Sequence, residues 1–354
     1  MFDSFFSLLS SDIAIDLGTA NTFILVKGKG IVVREPSVVA RNKKTKEILA
    51  IGSKAKKMVG KTPLMIETVK PLQDGVIADF EATVAMLKFF FEQLSSGGQL
   101  LNKIIRPRVV IGIPSGVTEV EQKAVQDAAL SAGARKAYLI EEPMAAAIGL
   151  GLPIDQPQGI LIVDVGGGTT EIALISLGGI VIDRCLRVAG DEMDEALTNF
   201  IKLKYSLLLG QASAEEIKIQ LGSAMAPIKS SPEQKEKQMV IRGRDLETGL
   251  PKSIKISAQE VREAIAPVIH QIIEQITEVI EEAPPELTTD IVAKGIILCG
   301  GCSLLQGLDK LISEETKIPA WTAEEPQTCV VRGCGKLLEN KDLLAKFKVI
   351  GGLR

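Results

Sequence analysis

Two short stretches of the chain place an aspartate just before a glycine turn, a pattern suited to binding phosphate. The stretch Ile13–Thr22 is matched 148 residues later by Leu161–Thr170, and in both an apolar run ends in aspartate. Glycine permits positive φ and close approach, so consecutive backbone N–H groups in each turn can point at an anion. We predict that phosphates bind between the two turns, which are formed by Gly18, Thr19, Ala20 and Asn21 and by Gly166, Gly167, Gly168 and Thr169.

The two aspartates, Asp16 and Asp164, stand at the entrances of these turns. Carboxylate oxygens suit a hydrated Mg²⁺ that neutralises bound phosphates, so the pair is a candidate metal site. The alternative is an ordinary tight turn in which each aspartate acts as a cap. The repetition of the pattern, with threonine hydroxyls in both copies, favours phosphate binding.

A third candidate for chemistry is the sequence Glu141-Glu142-Pro143, which is followed by small helix-forming residues. Proline in the first turn with acids beside it is typical of an ordinary helix N-terminus. Between two phosphate-binding turns, one of these carboxylates could instead orient a water molecule toward a terminal phosphate. The residues alone leave open which of the two glutamates would do so.

The segment Gly300-Gly301-Cys302-Ser303 follows an apolar run that ends at Cys299. Its exposed backbone could lie against a flat base or a ribose, because glycine has no side chain to clash. Cys299 and Cys302, together with Cys329 and Cys334, also imitate the spacing of a four-cysteine zinc site. Because Cys299 and Cys329 stand in apolar runs, we expect small buried hydrophobic residues there rather than zinc ligands.

These residues must be positioned by a mixed α/β fold, which the hydrophobic periodicity of the chain predicts. Each aspartate turn lies in a strand-turn-strand-turn-strand meander, and apolar runs at Val109–Ile113 and Ile296–Cys299 predict one more strand in each half. Inserts at 34–75 and about 187–255 interrupt the halves, and the crevice between the halves is the expected ligand site. Helices are predicted over Glu119–Ala132, Met144–Leu150, Glu192–Leu209 and Ser257–Glu282.

Composition excludes several classes of protein. With 354 residues, 46% of them hydrophobic, the chain is neither disordered, collagen-like nor a small disulfide-stapled domain. A net charge of −3 gives no general attraction to nucleic acid. The single histidine, His270, excludes two-histidine metal sites, and the five cysteines fit a reducing compartment. Because no apolar run approaches the roughly 18 to 20 residues that span a bilayer, we expect a soluble, intracellular protein.

Two further stretches suggest surfaces for partners. Residues 1–10 have the pattern of an amphipathic helix, which would lie in a membrane interface or pack against its own domain. They contain no lysine or arginine, so membrane binding would need a second contact. The basic stretch Arg41–Lys61 is expected to be a solvated insert surface, or alternatively a patch for a partner or anionic lipid. The candidates for the second membrane contact are Leu100, Leu101, Ile104 and Ile105.

Five motifs together resemble the MreB family, the bacterial actin homologues that shape rod-like cells. They are Asp16–Thr22, Glu35–Val38, Asp74–Asp79, Glu141–Gly149 and Asp164–Glu171, within a similarity that runs from about Asp12 to Glu339. The resemblance implies the duplicated α/β fold of actin, Hsp70 and sugar-kinase ATPases, with two lobes of two subdomains around a nucleotide cleft. It implies subdomain IA at 1–33, 76–157 and 324–354, IB at 34–75, IIA at 158–186 and 256–323, and IIB at 187–255.

The same resemblance assigns roles to the candidate site residues. It implies ATP and Mg²⁺ at the two turns, with Asp16 and Asp164 holding the metal through water. Glu142 matches the catalytic carboxylate of the family, and Asp16 and Thr169 would act with it. The family usually has glycine where this chain has Cys302. The adenosine would be held by Glu215, Glu216, Ile217 and Lys218 and by Gly300, Gly301, Cys302 and Ser303.

The resemblance also implies partners and a location. Its members form double filaments on the inner face of the cytoplasmic membrane and organise membrane-bound cell-elongation proteins. We therefore expect slow ATP hydrolysis coupled to polymerisation, membrane contact through residues 1–10, and no nucleic acid partner. Other ATPases of this fold remain alternatives, namely an Hsp70-like chaperone, a small-molecule kinase, or a plasmid- or organelle-positioning actin. About 15 residues follow the last motif, which leaves little room for the substrate-binding domain of a chaperone.

Overall fold

The computed structural model describes residues 12–95, 106–226 and 236–347. The expected α/β class is confirmed, because strands and helices are interspersed through these ranges. The predicted helix at residues 1–10 lies outside them, and so do Leu100, Leu101, Ile104 and Ile105. Within the described ranges, no helix has the length and apolar character needed to cross a membrane.

The elements are numbered here in chain order. The strands are β1 (Ile13–Leu17), β2 (Asn21–Val26), β3 (Gly30–Pro36), β4 (Val39–Asn42), β5 (Ile48–Ile51), β6 (Ile66–Val69), β7 (Leu72–Gln73), β8 (Val76–Ile77), β9 (Arg108–Ile113), β10 (Lys136–Glu141), β11 (Ile160–Val165), β12 (Thr170–Ser176), β13 (Gly179–Leu186), β14 (Leu207–Leu208), β15 (Gln238–Asp245), β16 (Pro251–Ser257), β17 (Ile296–Cys299) and β18 (Ala320–Thr322). The helices are α1 (Ser53–Lys56), α2 (Phe80–Ser95), α3 (Glu119–Ser131), α4 (Glu142–Leu150), α5 (Gly190–Tyr205), α6 (Gln211–Leu221), α7 (Ala258–Glu282), α8 (Pro285–Lys294), α9 (Leu308–Thr316), α10 (Cys329–Glu339) and α11 (Lys341–Phe347).

Two five-stranded sheets share one strand order, which is β3-β2-β1-β9-β10 in the first and β13-β12-β11-β17-β18 in the second. In each sheet the three meander strands pair antiparallel, and the first of them also pairs parallel with a later strand. We refer to the halves built on these sheets as lobe I and lobe II. The duplication predicted from the sequence is therefore present in the topology.

Each lobe also carries a small antiparallel sheet. In lobe I it has the order β5-β4-β6 and lies within the predicted insert at 34–75. In lobe II it has the order β14-β15-β16 and lies almost wholly within the insert at 187–255, since β16 ends at Ser257. The two inserts thus build matching additions to the lobes, while the exact bounds of the four subdomains stay a prediction.

Three apolar clusters hold these layers together. One packs α2 and α3 against the sheet of lobe I, and another packs α5–α9 against the sheet of lobe II. The third, here called the middle core, takes residues from both sheets and from α4 and α10. Val110 and Ile140 of lobe I meet Ile162 and Ala173 of lobe II in it, all completely buried. Since burial of apolar area is the main stabilising term in folding, the lobes depend on this shared core.

α4 and α10 cross at backbone contact distance within the middle core. A Cβ atom placed on Gly333 would stand 1.7 Å from the carbonyl oxygen of Ala145, and one on Gly149 would stand 2.0 Å from that of Cys329. Both positions require glycine, because only glycine lets two backbones approach so closely. The Lys336 ammonium donates to the carbonyls of Ile148 and Gly149 at 2.9 and 3.1 Å, at the C-terminal end of α4 where helical carbonyls lack i+4 partners.

One predicted helix boundary is wrong. The helix expected over Glu192–Leu209 is α5, which ends at Tyr205. Ser206 adopts a φ of 51°, in the left-handed region, and this conformation stops the helix. The next residues form β14, which pairs with β15. The apolar residues after Ser206 therefore extend the small sheet of lobe II instead of continuing the helical face.

Replacement of Gly333 with alanine tests the backbone contact between α4 and α10. We expect Gly333→Ala to lower the free energy of unfolding by about 3 kcal/mol or more, because the new Cβ collides with a carbonyl that cannot rotate away. Denaturant titration of the purified variants measures this. Gly210→Ala is the matched control, since a Cβ there meets nothing within 4 Å and the φ is −83°. A Gly333→Ala protein as stable as the Gly210→Ala protein would contradict the contact.

Candidate functional site

A cavity of about 630 Å³ lies between the two lobes. Both glycine turns line it, and so do the two aspartates that precede them. The structure thus brings together segments that are 148 residues apart in the sequence. The predicted site residues that line the cavity are Asp16, Gly18, Thr19, Ala20, Asn21, Glu142, Asp164, Gly166, Gly167, Gly168, Thr169, Glu215, Lys218, Gly300, Gly301 and Cys302.

The two turns face each other at contact distance. A Cβ on Gly167 would lie 2.6 Å from the Cβ of Ala20, and a Cβ on Gly168 would lie 2.9 Å from Oγ1 of Thr19. The backbone N–H of Gly75, in the turn between β7 and β8, donates to the same Thr19 oxygen at 3.1 Å. Glycine at 167 and 168 therefore leaves backbone N–H groups accessible between the turns, as an anion site requires.

The β-strands place the two aspartates at equivalent points of the lobes. Asp16 pairs with Gly112 across β1 and β9, and Asp164 pairs with Cys299 across β11 and β17. Gly300 follows at once with a φ of 82°, and a Cβ there would stand 2.3 Å from Oδ1 of Asp164. A side chain at position 300 would displace the Asp164 carboxylate. Gly300 therefore forms part of the cavity wall and also leaves the space that this carboxylate occupies.

The acids in the cavity are crowded and shielded from water. Burial raises the pKa of Asp16 to about 7, and nearby Cys329 adds to the shift. Burial and then the charge of Asp16 raise the pKa of Asp164 well above its usual range. Burial, followed by the charges of Asp16, Glu171 and Asp164, does the same to the pKa of Glu142. The site therefore concentrates carboxyl groups with perturbed pKa values from both lobes, an arrangement typical of functional sites.

The structure separates the two glutamates that the sequence left as alternatives. Glu142, the first residue of α4, lines the cavity, whereas Glu141 does not. Glu141 ends β10 and is the N-cap residue of α4, and burial followed by the charge of Asp183 raises its pKa. Pro143 stands in the first helical turn as expected. By position, Glu142 is the carboxylate available to a molecule in the cavity.

Three predicted residues do not line the cavity. Glu216 points to solvent on α6, where Gln220 donates to its carboxylate at 3.0 Å. Ile217 is 1% exposed and packs in the apolar core of lobe II. Ser303 is buried, and its hydroxyl donates to the carbonyl of Gly300 at 2.7 Å. The segment 215–218 was expected to act as a block, but helical geometry turns only Glu215 and Lys218 toward the cavity.

Two ion pairs across the cavity were not anticipated from the sequence. Lys56, next to the small sheet of lobe I, contacts Glu215 of lobe II with 2.7 Å between Nζ and Oε1. Lys70 contacts Asp191 with 2.7 Å between Nζ and Oδ2. Lys56 belongs to the basic stretch Arg41–Lys61, predicted to be a solvated insert surface or a patch for a partner or anionic lipid; its side chain stays 37% exposed, but its ammonium is paired within the chain. Nothing in the local sequence signals either pair, because the partners are more than 100 residues apart.

A second network holds Lys218 at the cavity wall. Its ammonium donates to the carbonyl of Gly190 at 2.6 Å and contacts Asp194 at 2.9 Å. Burial alone would lower the pKa of Lys218, but the neighbouring Cys302, Asp194 and Glu215 raise it by more, and the net shift is upward. Lys218 is therefore a fixed positive charge beside Cys302, at the segment expected to hold the adenosine.

The four cysteines of the zinc alternative do not converge. Cys302 lines the cavity, while Cys334 is buried in the middle core. The thiols of Cys299 and Cys329 are hydrogen-bonded to each other, and this bond, followed by Arg332, lowers the pKa of Cys329 to about 7. Across the part of the chain that the structure describes, no three histidine, cysteine, aspartate or glutamate side chains are grouped to hold a metal by themselves.

Asparagine at position 16 tests the electrostatic crowding. Because the pKa of Asp16 is raised to about 7, the folded state binds its proton more tightly than the unfolded state. The stability that the Asp16 proton contributes is therefore fully present below about pH 4, and it is lost as the pH rises through about 7. We expect Asp16→Asn to stabilise the nucleotide-free protein at pH 8 by about 2 to 4 kcal/mol, and by much less at pH 5.

Denaturant titrations at the two pH values measure this difference. Asp127→Asn, at an exposed position on α3, is the matched control and is expected to show little change at either pH. If the free energy of unfolding of Asp16→Asn depended on pH as that of the wild type does, the proposed electrostatic crowding of Asp16 would be contradicted.

Comparison with known proteins places the chain in a family. The sequence pattern of the MreB/Mbl protein family matches residues 10–346. The cell shape-determining protein Mbl of Bacillus subtilis is 47% identical over 342 residues, which cover 97% of this chain and 100% of that protein. The cell shape-determining protein MreB of Escherichia coli K12 is 45% identical over 349 residues, which cover 97% of each chain.

Solved structures agree with this result. Crystal structures of MreB5 of Spiroplasma citri, one bound to ADP and one to AMPPNP, match with a TM-score of 0.86 and 39% identity, covering 93% of this chain and 96% of theirs. The expected two-lobed, actin-like fold is confirmed by this similarity and by the duplicated sheets. The chain therefore belongs to the MreB/Mbl protein family.

Proposed function

We propose that the chain is a polymerising ATPase of the bacterial cytoskeleton that hydrolyses ATP slowly. The observation that carries this proposal is the pair of repeated turns that face each other across the cavity, each behind its aspartate. The crystals of MreB5 with ADP and AMPPNP support a nucleotide in this cavity. The triphosphate would lie between the turns, and the adenosine would lie along Glu215, Lys218 and Gly300–Cys302.

The crowded acids suit a divalent cation. Asp16 and Asp164 line one cavity, and the charge of Asp16 raises the pKa of Asp164, so a cation between them would relieve a real repulsion. Magnesium at nucleotide sites takes one or two carboxylates together with phosphate oxygens and water, and these two aspartates would hold it in that way. When bound, Mg²⁺ would neutralise charge on the phosphates.

Glu142 would orient the water that attacks the terminal phosphate. Its carboxylate lines the cavity at the first residue of α4, where it would reach a water molecule beside the bound phosphates. Thr169, buried at the end of the second turn, would help to place the same water. The backbone N–H groups of both turns would spread the charge that develops on the phosphate. The protein thus contributes position and charge rather than a covalent intermediate.

Closure of the lobes around ATP would change the surfaces that stack head to tail. Heterologous contacts of this type produce open filaments rather than closed rings. Residues 1–10 would attach the filaments to the inner face of the cytoplasmic membrane, and many copies in one filament would strengthen a weak individual contact. The names of the Bacillus subtilis and Escherichia coli relatives, cell shape-determining proteins, support a role in organising the membrane-bound proteins of cell elongation.

Substitution of Glu142 tests its catalytic role. We expect Glu142→Gln to reduce phosphate release from ATP by about 100-fold or more, because a correctly placed general base contributes at least that much. Glu141→Gln is the matched control, since Glu141 lies one residue away and outside the cavity, and it should release phosphate at close to the wild-type rate. Normal phosphate release by Glu142→Gln would exclude the assigned role.

Sedimentation of the same proteins tests filament formation separately. The wild type and Glu142→Gln should both pellet with ATP and Mg²⁺, with and without vesicles of anionic lipid, because the substitution removes the hydrolytic step and not the binding site. A wild type that remains in the supernatant under all of these conditions would overturn polymerisation. Electron microscopy of the pellets distinguishes filaments from aggregates.

The two ion pairs that join the lobes, Lys56–Glu215 and Lys70–Asp191, should slow the release of nucleotide from the cavity. Each pair is partly exposed, and such pairs contribute up to about 1 kcal/mol. We expect the double variant Lys56→Ala, Lys70→Ala to release a fluorescent ADP analogue about 3- to 30-fold faster, because both pairs hold the lobes together. Lys54→Ala removes an exposed lysine from the same helix as Lys56 and is the control. Stopped-flow displacement rates that are equal in all three proteins would contradict this.

A further inference from the structure

Glu171 breaks the symmetry of the repeated halves. In lobe II it pairs with Asp164 across β11 and β12, and the equivalent residue of lobe I, paired with Asp16 across β1 and β2, is Phe23. The two halves thus place an aromatic ring and a carboxylate at the same point of the same fold. Glu171 is only 1% exposed, and burial of a carboxyl group is costly unless hydrogen bonds or a charged partner compensate for the lost water.

The contacts of Glu171 cross from lobe II to lobe I. Its Oε2 accepts hydrogen bonds from the backbone N–H of Ser115 at 3.1 Å and from the Ser115 hydroxyl at 2.6 Å. Ser115 follows β9 in lobe I and is also 1% exposed. The other oxygen, Oε1, is buried and has no hydrogen-bond partner among the described residues. Cys185, opposite Glu171 on β13, offers only a thiol, which is a weak donor.

The loop that Glu171 anchors lies against the phosphate turns. Pro114, just before Ser115, stands next to Gly75, where an added Cβ would be 2.6 Å from the proline Cγ and 3.0 Å from Cγ2 of Thr169. The N–H of Gly75 donates to Thr19 in the first turn. A continuous series of contacts therefore runs from Glu171, through the Pro114–Ser115 loop and Gly75, to both turns.

We propose that Glu171 is a positioning residue of the phosphate site, acting through Ser115 to hold the Pro114–Ser115 loop and Gly75 against the two turns. This inference rests on the proposed ATPase function. Glu171 follows Thr169 and Thr170 directly in the chain, so any shift of the second turn on binding the terminal phosphate is transmitted to lobe I. This role requires a hydrogen-bond acceptor at position 171. Phe23, at the equivalent position of lobe I, has no such acceptor in its side chain.

Kinetics of ATP hydrolysis, with ADP affinity measured alongside, test the proposal. We expect Glu171→Ala to lower kcat by about 10- to 100-fold while changing the Kd for ADP less than about threefold, because misplacement of the terminal phosphate affects chemistry more than binding. Glu171→Gln should keep kcat within about threefold of the wild type, since the amide oxygen still accepts both bonds from Ser115. A merely structural carboxylate would alter stability without separating kcat from ADP affinity.

Ser115→Ala provides the second variant, which remains informative if Glu171→Ala fails to fold. It keeps the backbone donor and loses the hydroxyl donor, so an intermediate fall in kcat of about 3- to 10-fold is expected. The double variant Ser115→Ala, Glu171→Ala should be no slower than Glu171→Ala alone, because the two residues act through one contact. Ser176→Ala, at the far end of β12, is the matched control and should hydrolyse ATP like the wild type.

The outcomes separate this proposal from the function on which it rests. If Glu142→Gln is inactive while Glu171→Ala and Ser115→Ala turn over ATP at the wild-type kcat, the role of Glu171 is overturned and the ATPase stands. If Glu171→Gln is as slow as Glu171→Ala, the acceptor role is also overturned. A wild type that does not hydrolyse ATP faster than Glu142→Gln contradicts the proposed function itself.

Discussion

Carboxyl groups from both lobes meet in one cavity, and the remaining structure holds them there. Asp16 enters from lobe I, Asp164 enters from lobe II, and Glu142 begins the helix between the sheets. Burial raises the pKa of all three acids, and the charge of Asp16 adds to the shifts of Asp164 and Glu142, so the fold carries an electrostatic cost at its centre. The shared middle core and the ion pairs across the cleft offset that cost. Sites of this type commonly sacrifice stability for function, and under the proposed function a magnesium nucleotide would relieve the repulsion.

The two lobes share one strand topology but carry different side chains at some equivalent positions. The turns and their aspartates are near copies, which suits a ligand whose phosphates are contacted from both sides. Glu171 of lobe II has no acidic counterpart in lobe I, where Phe23 holds the equivalent position, and Glu142 begins α4 directly after β10 of lobe I. Under the proposed function, the repeated turns would bind the phosphates, and Glu142 and Glu171, which lie outside the repeated turns, are the residues for which we propose roles in hydrolysis.

Features encoded in contiguous sequence were predictable. The repeat, the aspartate turns, the start of α4 at Glu142-Pro143 and the strand before Gly300 each rest on neighbouring residues whose conformational preferences agree. Contacts between distant segments were not predictable, because Lys56 and Glu215 carry no local signal of each other. All four residues of the segment 215–218 were predicted to hold the adenosine. Helical periodicity instead turns Glu215 and Lys218 to the cavity and Ile217 to the apolar core. Ser206 ended a helix through a backbone conformation that its residue type rarely adopts.

The middle core has a consequence for modularity. Because α4 and α10 pack against the inward faces of both sheets, neither lobe has a complete apolar core of its own. Either lobe alone would therefore expose to water the apolar face that the other lobe and these two helices now cover, so the chain folds as one unit although its architecture is twofold.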